Sequence, residues 1–286
     1  MSEIPFTLYS GAGNEFVVID AFNTPTVFGS TKLALLAQTV CKRGGIIGAD
    51  GMVVLARSAR APFQMNFYNP DGSFGALCGN GARCAVQAAL DAKIIPTAET
   101  TFQVLDDIIS AERPSSDTLR VHYADPKHIK LKFKLSVGGA LVTTSYVDLG
   151  SQHAVIFFDE FAAIANAGIE DFDIARFGPQ VRRHPDFEPK GANANFAEIR
   201  SDQLGPYIRI RTFERGVEGE TLACGTGCMS TAIAAVGRGL VPSVPVRLLT
   251  QSGEFVSVGF RVEDSHVKEL WLEGGVKRGR SGVLSV

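Results

Sequence analysis

The chain has 286 residues, of which 45% are hydrophobic, and its 28 basic and 30 acidic side chains leave a formal net charge of −2. This balance gives no basic surface for nucleic acid, and the longest apolar runs are far too short to span a bilayer, so neither is an expected partner. The N-terminus lacks the basic and apolar regions of a signal peptide, and five cysteines in a chain of this length favour a reduced, cytoplasmic protein.

Strand signals dominate the first half of the chain. Short apolar runs predict strands at residues 16–20, 52–55 and 64–68. Helices are predicted at residues 31–42, where the apolar period stops at a pair of glycines, and at residues 81–90, which are rich in alanine. The first half therefore alternates several strands with few helices.

The second half has the same character. Strict alternation at residues 129–135 and 207–211 predicts half-buried antiparallel strands. Helices are predicted at residues 161–167 and 227–236. Further strands are predicted at residues 142–148, 154–158, 196–199, 246–250, 255–258 and 269–272. Many strands with a few scattered helices indicate an α+β fold rather than a doubly wound sheet.

Two polar stretches mark possible divisions of the chain. Residues 112–117 contain Pro and Ser, and they predict either a hairpin loop or a domain boundary. A boundary slightly later, near Ala124-Asp125-Pro126, would divide the chain into near-equal halves. The length suits one large domain or two of ordinary size.

Two short runs each place a cysteine before Gly-x-Gly at a predicted helix start. They are Leu77-Cys78-Gly79-Asn80-Gly81 and Ala223-Cys224-Gly225-Thr226-Gly227. A helix N-terminus presents unpaired N–H groups and partial positive charge. That environment favours thiolate over thiol and can hold a carboxylate beside it. The pair therefore predicts two acid/base sulfurs that face one anionic substrate.

The two runs belong to a weak internal repeat. Aligning Cys78 with Cys224 also matches Phe67 with Phe213 and the alanines of the two predicted helices. Asn69 falls on Arg215 in the same alignment, so the repeat is broken by one polar pair. Each half thus has a strand, a polar loop, Cys-Gly-x-Gly and an Ala-rich helix, as expected of one unit duplicated about a pseudo-twofold axis.

Other uses of these cysteines fit the spacing less well. No Cys-x-x-Cys, no paired zinc-ligand spacing and no phosphate-binding glycine loop occurs. A Cys–His hydrolase with His153 as base is the serious rival, but it leaves the second matched cysteine unused. Buried structural roles suit Cys41, Cys84 and Cys228, and a duplicated structural cysteine is the corresponding alternative for the matched pair.

Two longer motifs surround the matched cysteines. The first is Asn69-Pro70-Asp71-Gly72-Ser73 followed by Cys78-Gly79-Asn80-Gly81-Ala82-Arg83-Cys84, and the second is Glu214-Arg215-Gly216 followed by Gly219 through Gly227. They resemble the first and second signatures of the diaminopimelate epimerase family. Three shorter segments also match the family, namely Gly11-x-Gly13-Asn14-x-Phe16, Gly48-Ala49-Asp50-Gly51 and Asn193-x-Asn195-Phe196. They occur in family order and cover most of the chain.

The resemblance implies an α+β fold of two pseudo-symmetric domains. Each is a mostly antiparallel sheet or barrel wrapped around a central helix, with the active site in the interdomain cleft. The expected domains are residues 1–124, to which a C-terminal strand at 275–286 returns, and residues 125–274.

The same resemblance implies an epimerase that interconverts LL- and meso-diaminopimelate on the route to lysine and peptidoglycan. It would use neither pyridoxal phosphate nor a metal, and its expected partner is a small amino-acid substrate. A homodimer is compatible with the sequence, which leaves the oligomeric state open. A related cofactor-independent racemase of another amino acid and a non-catalytic binding protein of this fold are the alternatives.

The family motifs assign roles to individual residues. The implied catalytic set is Cys78 and Cys224 as acid and base, with His153 and Glu214 tuning the thiols. The implied substrate-binding set is Asn14, Asn69, Gly79, Asn80, Ser151, Asn193, Arg215, Gly225 and Thr226. The chain departs from the family where Ser151 replaces an asparagine and where the second signature is one residue longer near Glu218. Both departures concern recognition of the distal end of the substrate.

Overall fold

The computed structural model describes residues 3–23, 29–45, 47–75, 77–242 and 244–285. Met1-Ser2 and Val286, which the signal-peptide and C-terminal strand predictions include, lie outside the described residues. The chain divides into two compact units, one formed by Met1–Tyr123 with Glu273–Val286 and the other by Ala124–Leu272. No helix in the described part of the chain is long and apolar enough to cross a membrane.

The described elements consist of many strands and few helices. In chain order they are β1 Glu3–Gly11, β2 Asn14–Asp20, α1 Ser30–Val40, β3 Gly51–Ala56, β4 Gln64–Tyr68, β5 Phe74–Gly75, α2 Gly79–Asp91, β6 Thr100–Val104, β7 Asp107–Glu112, β8 Thr118–His122, β9 His128–Val137, β10 Ala140–Asp148, β11 Gln152–Phe157, α3 Ala162–Ala165, α4 Ile174–Arg182, β12 Asn193–Asp202, β13 Gly205–Glu214, β14 Gly219–Thr221, α5 Gly225–Gly237, β15 Val246–Leu249, β16 Phe255–Glu263, β17 His266–Gly275 and β18 Lys277–Ser285.

The sheet of the first unit begins with an antiparallel pair and then crosses over. Strand β1 is antiparallel to β2, β2 is parallel to β3, and β3 is antiparallel to β4. Parallel neighbours need a crossover connection, which α1 supplies. On β2, Phe16 and Val18 pack in the core of α2, whereas Val17 and Ile19 pack in the core of α1. The sheet is therefore buried on both faces, and α2 lies on one of them.

The second unit repeats this connectivity. Strand β10 is antiparallel to β11, β11 is parallel to β12 through the crossover α4, and β12 is antiparallel to β13. Helix α5 packs against β10, β11 and β12, as α2 packs against β1, β2 and β3 in the first unit. The internal repeat thus extends beyond the cysteine runs to the strand order.

The two units differ in the source of one strand. In the second unit β9 lies beside β10 and directly precedes it in the chain. In the first unit β18, the C-terminal strand, takes the equivalent place beside β1. The first unit therefore needs both ends of the chain to complete its sheet.

The sequence-based predictions of secondary structure are largely confirmed. Each predicted strand overlaps an observed strand, and the polar stretch 112–117 is a hairpin loop between β7 and β8. The predicted helix at 161–167 is wrong in length, because only a 3-10 turn and the four-residue α3 form there. Helix α4 went unpredicted because Pro179 interrupts its pattern.

Candidate active site

Cys78 is the N-cap residue of α2. Its backbone is extended (φ −94°, ψ 114°), and its carbonyl accepts the first helical hydrogen bond from the Ala82 N–H at 2.7 Å. The N–H groups of Gly79, Asn80 and Gly81 therefore lie in the first turn, where no helical carbonyl is available to them. This helix start offers a thiol beside amides that can bind an anion.

A polar pair connects this helix start to the β1–β2 hairpin. The Asn80 side-chain amide donates to Asn14 Oδ1 at 2.8 Å, and Asn80 is itself buried. Asn14, predicted to bind substrate, is half-buried at the first position of β2. The structure thus brings together Cys78, Gly79, Asn80 and Asn14 of the predicted set.

Arg83 is a functional candidate that the sequence analysis missed. Its guanidinium is completely buried and donates to Asn80 Oδ1 at 2.9 Å. It also approaches the Gly79 carbonyl at 3.4 Å, while Nε has no hydrogen-bond partner within the described part of the chain. No ion pair joins it to a carboxylate of the described residues. An arginine in an otherwise Ala-rich helix was the available signal, since arginine is rarely buried without a partner.

Asn69, the other predicted residue of this unit, belongs to a turn. Its side-chain amide donates to Ser73 Oγ at 3.0 Å, and its carbonyl accepts from Gly72 N–H at 2.9 Å. Asx residues commonly stabilise such turns. The turn joins β4 to β5, directly before the cysteine run, and leaves Asn69 half-buried.

Cys224 is the N-cap residue of α5, which has 13 residues like α2. Its carbonyl accepts from the Cys228 N–H at 2.9 Å, and the residue is only 8% exposed. Burial raises the pKa of the Cys224 thiol most, and the nearby Glu214 carboxylate adds to this effect, so the pKa lies well above its usual value. The expectation that the helix start favours thiolate over thiol is therefore wrong at Cys224, because burial outweighs the helix start. The Thr226 hydroxyl and the Gly227 backbone amide act in the opposite direction and stabilise the thiolate.

His153 is the second residue of β11 and lies next to two asparagines of β12. The parallel register of β11 and β12 places it opposite Asn193, and the two-residue period of a strand puts Asn195 on the same face. Asn193 donates to the Gln152 carbonyl at 3.0 Å, and Asn195 donates to the Ala154 carbonyl at 3.0 Å and approaches His153 Nδ1 at 3.2 Å. Asn195, which is absent from the predicted site sets, is thus a direct neighbour of the histidine ring.

The His153 ring is neutral at physiological pH. Burial lowers its pKa from 6.5 to about 3, and the positive charge of Arg215 acts in the same direction. A neutral imidazole has one donor nitrogen and one acceptor nitrogen. His153 is therefore a hydrogen-bonding group in this site and does not carry a charge.

Ser151 and Thr226 lie between His153 and Cys224. Ser151 Oγ is 2.9 Å from His153 Nε2 and 3.4 Å from Thr226 Oγ1. Thr226 Oγ1 is in turn 3.5 Å from Cys224 Sγ. Ser151 was predicted to contact substrate, and the structure shows its hydroxyl engaged by these two side chains.

Glu214 and Arg215 follow one another at the end of β13. Glu214 accepts from the Thr221 hydroxyl at 2.9 Å, and its burial raises the pKa of the carboxyl. The Arg215 backbone N–H donates to Asn193 Oδ1 at 2.8 Å, and its guanidinium donates to Gln152 Oε1 at 2.7 Å. Only one of the five guanidinium donors is used in that bond.

The second unit therefore gathers most of the predicted set around one helix start. Cys224, Gly225, Thr226, Ser151, His153, Asn193, Glu214 and Arg215 all belong to this unit. The described residues contain no cluster of His, Cys, Asp and Glu that could hold a metal ion. The chemistry available from these side chains is proton transfer by a thiol and binding of anions by amides and a guanidinium.

Comparison with known proteins gives a consistent result across nearly the whole chain. The sequence model of the family described as diaminopimelate epimerase matches residues 6–129 and 145–269. A diaminopimelate epimerase of Chlorobaculum tepidum is 36% identical over 278 residues, which are 97% of this chain and 100% of the relative. One of Aquifex aeolicus is 34% identical over 287 residues, which are 98% and 97% of the two chains.

Solved structures share the fold at much lower identity. A Bacillus anthracis phenazine biosynthesis protein of the PhzF family matches with a TM-score of 0.73, 14% identity and 100% coverage of both chains. A probable proline racemase of Agrobacterium radiobacter K84 matches with a TM-score of 0.66 and 17% identity, covering 99% of this chain and 92% of the other. These identities concern the fold alone, which confirms the predicted α+β class with its two sheet-rich domains.

Proposed function

The chain belongs to the diaminopimelate epimerase family and interconverts LL- and meso-2,6-diaminopimelate, and we propose that Cys78 and Cys224 move the proton. Inversion at an α-carbon through a planar intermediate requires a base on one face and an acid on the other. One sulfur acts as thiolate and the other as thiol, and their roles exchange with the direction of reaction. This isomerase of lysine biosynthesis works in the cytoplasm, where both thiols stay reduced.

The observation that carries this proposal is the equivalence of the two cysteines. Each is the N-cap of a 13-residue helix that follows a short β-hairpin in its own unit. A duplicated structural cysteine would need no open helix start beside it. A hydrolase would need one nucleophilic cysteine, so the second cysteine at its helix start would have no function.

The carbanion intermediate needs stabilisation as well as proton transfer. Removal of the α-proton places negative charge next to the substrate carboxylate. We assign the binding of this carboxylate to the first-turn amides of Gly79, Asn80, Gly225 and Thr226. A preorganised N–H donor of this kind is typically worth about 2.7–4 kcal/mol in the transition state. Helix dipoles add to the same effect because both N-termini carry partial positive charge.

The polar neighbours set the protonation of the thiols and recognise the substrate. Glu214 lies close enough to Cys224 to raise its pKa, so proton loss from the sulfur is linked to the charge of this carboxyl. Arg215 suits the distal carboxylate of the substrate, because a guanidinium binds carboxylates through two parallel hydrogen bonds. Asn14, Asn69 and Asn193 offer amide donors and acceptors to a zwitterionic amino acid.

The test is solvent-deuterium incorporation by each cysteine variant. Wild-type enzyme in deuterated water, with no added cofactor, incorporates deuterium at one α-carbon of LL-diaminopimelate during epimerisation. Cys78→Ala and Cys224→Ala each lose epimerisation by at least about 10²–10⁴-fold, the usual contribution of a general acid or base. Cys41→Ala is the matched control, because this buried cysteine lies at the C-terminal end of α1 and not at a helix start.

Two results would contradict the proposal. Full epimerisation by either variant would remove that cysteine from the proton transfer. Deuterium exchange with a different amino acid, but none with diaminopimelate isomers, would leave the two-thiol chemistry in place and overturn the substrate.

A further inference from the structure

The orientation of the His153 ring follows from its asparagine neighbours. Asn195 Oδ1 accepts from the Thr212 hydroxyl at 3.0 Å, and its NH₂ group faces the Ala154 carbonyl at 3.0 Å. This amide therefore presents a donor to His153 Nδ1 at 3.2 Å. Nε2 also has an NH₂ group nearby, that of Asn193 at 3.4 Å, but its closer neighbour is the Ser151 hydroxyl oxygen at 2.9 Å, which can accept a hydrogen bond. These contacts favour Nδ1 as the acceptor nitrogen of the neutral ring. The ring proton is then on Nε2.

That tautomer fixes the direction of the hydrogen bonds towards the helix. His153 Nε2–H donates to Ser151 Oγ at 2.9 Å, so the serine proton is free to donate to Thr226 Oγ1 at 3.4 Å. The Thr226 hydroxyl proton is then directed at Cys224 Sγ, 3.5 Å away. Every donor in this chain of four side chains is aimed at the sulfur.

The first unit has an equivalent contact, which supports a built arrangement. In the internal alignment Asn80 and Thr226 occupy the same position, the second residue of each helix. Asn80 donates to Asn14, which lies at the start of β2, and Ser151 donates to Thr226 from just before β11. In each unit, therefore, a side chain at the start of β2 or just before β11 forms a hydrogen bond with the second residue of α2 or α5.

We propose that Ser151 is a positioning residue that links His153 to Thr226 and thereby orients the Thr226 hydroxyl toward the Cys224 sulfur. It acts through Thr226, in contrast to the substrate contact that its place in the family motif implies. The inference rests on the role of Cys224 as an acid/base group. Hydrogen bonds in such a chain polarise one another, so the serine strengthens the bond that stabilises the thiolate.

The charged and titratable groups that act on Cys224 and His153 lie at other positions, so a substitution of Ser151 removes none of them. Glu214 of β13 and Cys228 of α5 act on Cys224. Arg215, which follows β13, and Asp148 of β10 act on His153. A change in the titration of Cys224 after loss of the Ser151 hydroxyl therefore reports on the hydrogen-bond chain.

The experiment measures the pH profile of Cys224 alkylation in the intact chain. Trace iodoacetamide is used, and the modified Cys224 peptide is quantified by mass spectrometry. Ser151→Ala shifts the profile upward by about half a pH unit or more, because the thiolate loses an oriented donor. Ser151→Thr retains a hydroxyl and restores the profile. Ser145→Ala is the matched control, since the Oγ of this buried β10 serine has no hydrogen-bond partner among the residues that the structure describes.

Steady-state kinetics separate the two roles of Ser151. In Ser151→Ala a positioning role lowers kcat by about three- to tenfold and keeps KM within about twofold, whereas loss of a substrate contact raises KM with kcat unchanged. An unshifted alkylation profile, or an effect on KM alone, overturns the inference. The alkylation measurement needs no substrate, so it fails or succeeds independently of the diaminopimelate assignment and of the inactivity of Cys224→Ala.

Discussion

The two equivalent glycines of the cysteine runs are expected to respond in opposite ways to the same substitution. Gly81 and Gly227 occupy the third position of α2 and α5, and both are the last glycine of a Cys-Gly-x-Gly run. A Cβ at Gly227 would lie 2.5 Å from Asn195 Oδ1 and 3.3 Å from Thr212 Oγ1. A Cβ at Gly81 would meet Met65, Phe16 and Cys78 at 3.4–3.6 Å, which is ordinary contact.

The sizes of the two effects follow from this packing. Alanine in a helix is favoured over glycine by about 0.5–1 kcal/mol, so Gly81→Ala leaves the free energy of unfolding unchanged or raises it by that amount. At Gly227 the Asn195 amide cannot move aside without losing its bonds to Thr212 and Ala154. Overpacking of this kind costs about 1–3 kcal/mol, so Gly227→Ala lowers the free energy of unfolding.

Urea unfolding followed by far-UV circular dichroism measures both variants under the same conditions. We expect Gly227→Ala to be less stable than Gly81→Ala by about 1–3 kcal/mol, which is the overpacking term alone, because both variants gain the helix propensity of alanine. Two variants of equal stability, within about 0.5 kcal/mol, would refute the contact between Asn195 and the start of α5.

Three further predictions concern the second unit. The unfolded chain binds a proton at His153 below pH 6.5 and the folded chain only near pH 3, so unfolding free energy falls by about 1 kcal/mol per pH unit between pH 6 and 4. His153→Asn should remove this slope in urea titrations, and an unchanged slope would contradict burial of the neutral ring. Glu214→Gln removes a charge that raises the pKa of Cys224, so alkylation of Cys224 should shift to lower pH, and an upward shift would reverse the assigned sign. Arg215→Lys should raise KM for diaminopimelate about tenfold with a smaller effect on kcat, because lysine lacks the bidentate fork; a KM within twofold of wild type would exclude Arg215 from recognition.

Local patterns in the sequence determined the class of fold and the two cysteines at helix starts. Alternating residues in β9 and β13 identify strands from a few positions, and a cysteine before Gly-x-Gly identifies a helix start in the same way. The repeat then indicated a duplicated unit. All of these signals are contained in short stretches of chain, so no long-range contact is needed to recognise them.

The tertiary structure decided which side chains meet, because that depends on strand register and crossovers between distant segments. The register of β11 and β12 places Asn193 and Asn195 beside His153, and burial there makes the ring neutral. Packing of β1 against α2 brings Gly11 beside the buried Arg83, which composition alone would place at the surface. The contact between Ser151 and Thr226 forms only when the sheet and the helix are assembled. The same assembly places an asparagine beside Gly227 but not beside Gly81. The sequence by itself therefore predicted which residues carry the proton, and the assembled second unit established what surrounds Cys224.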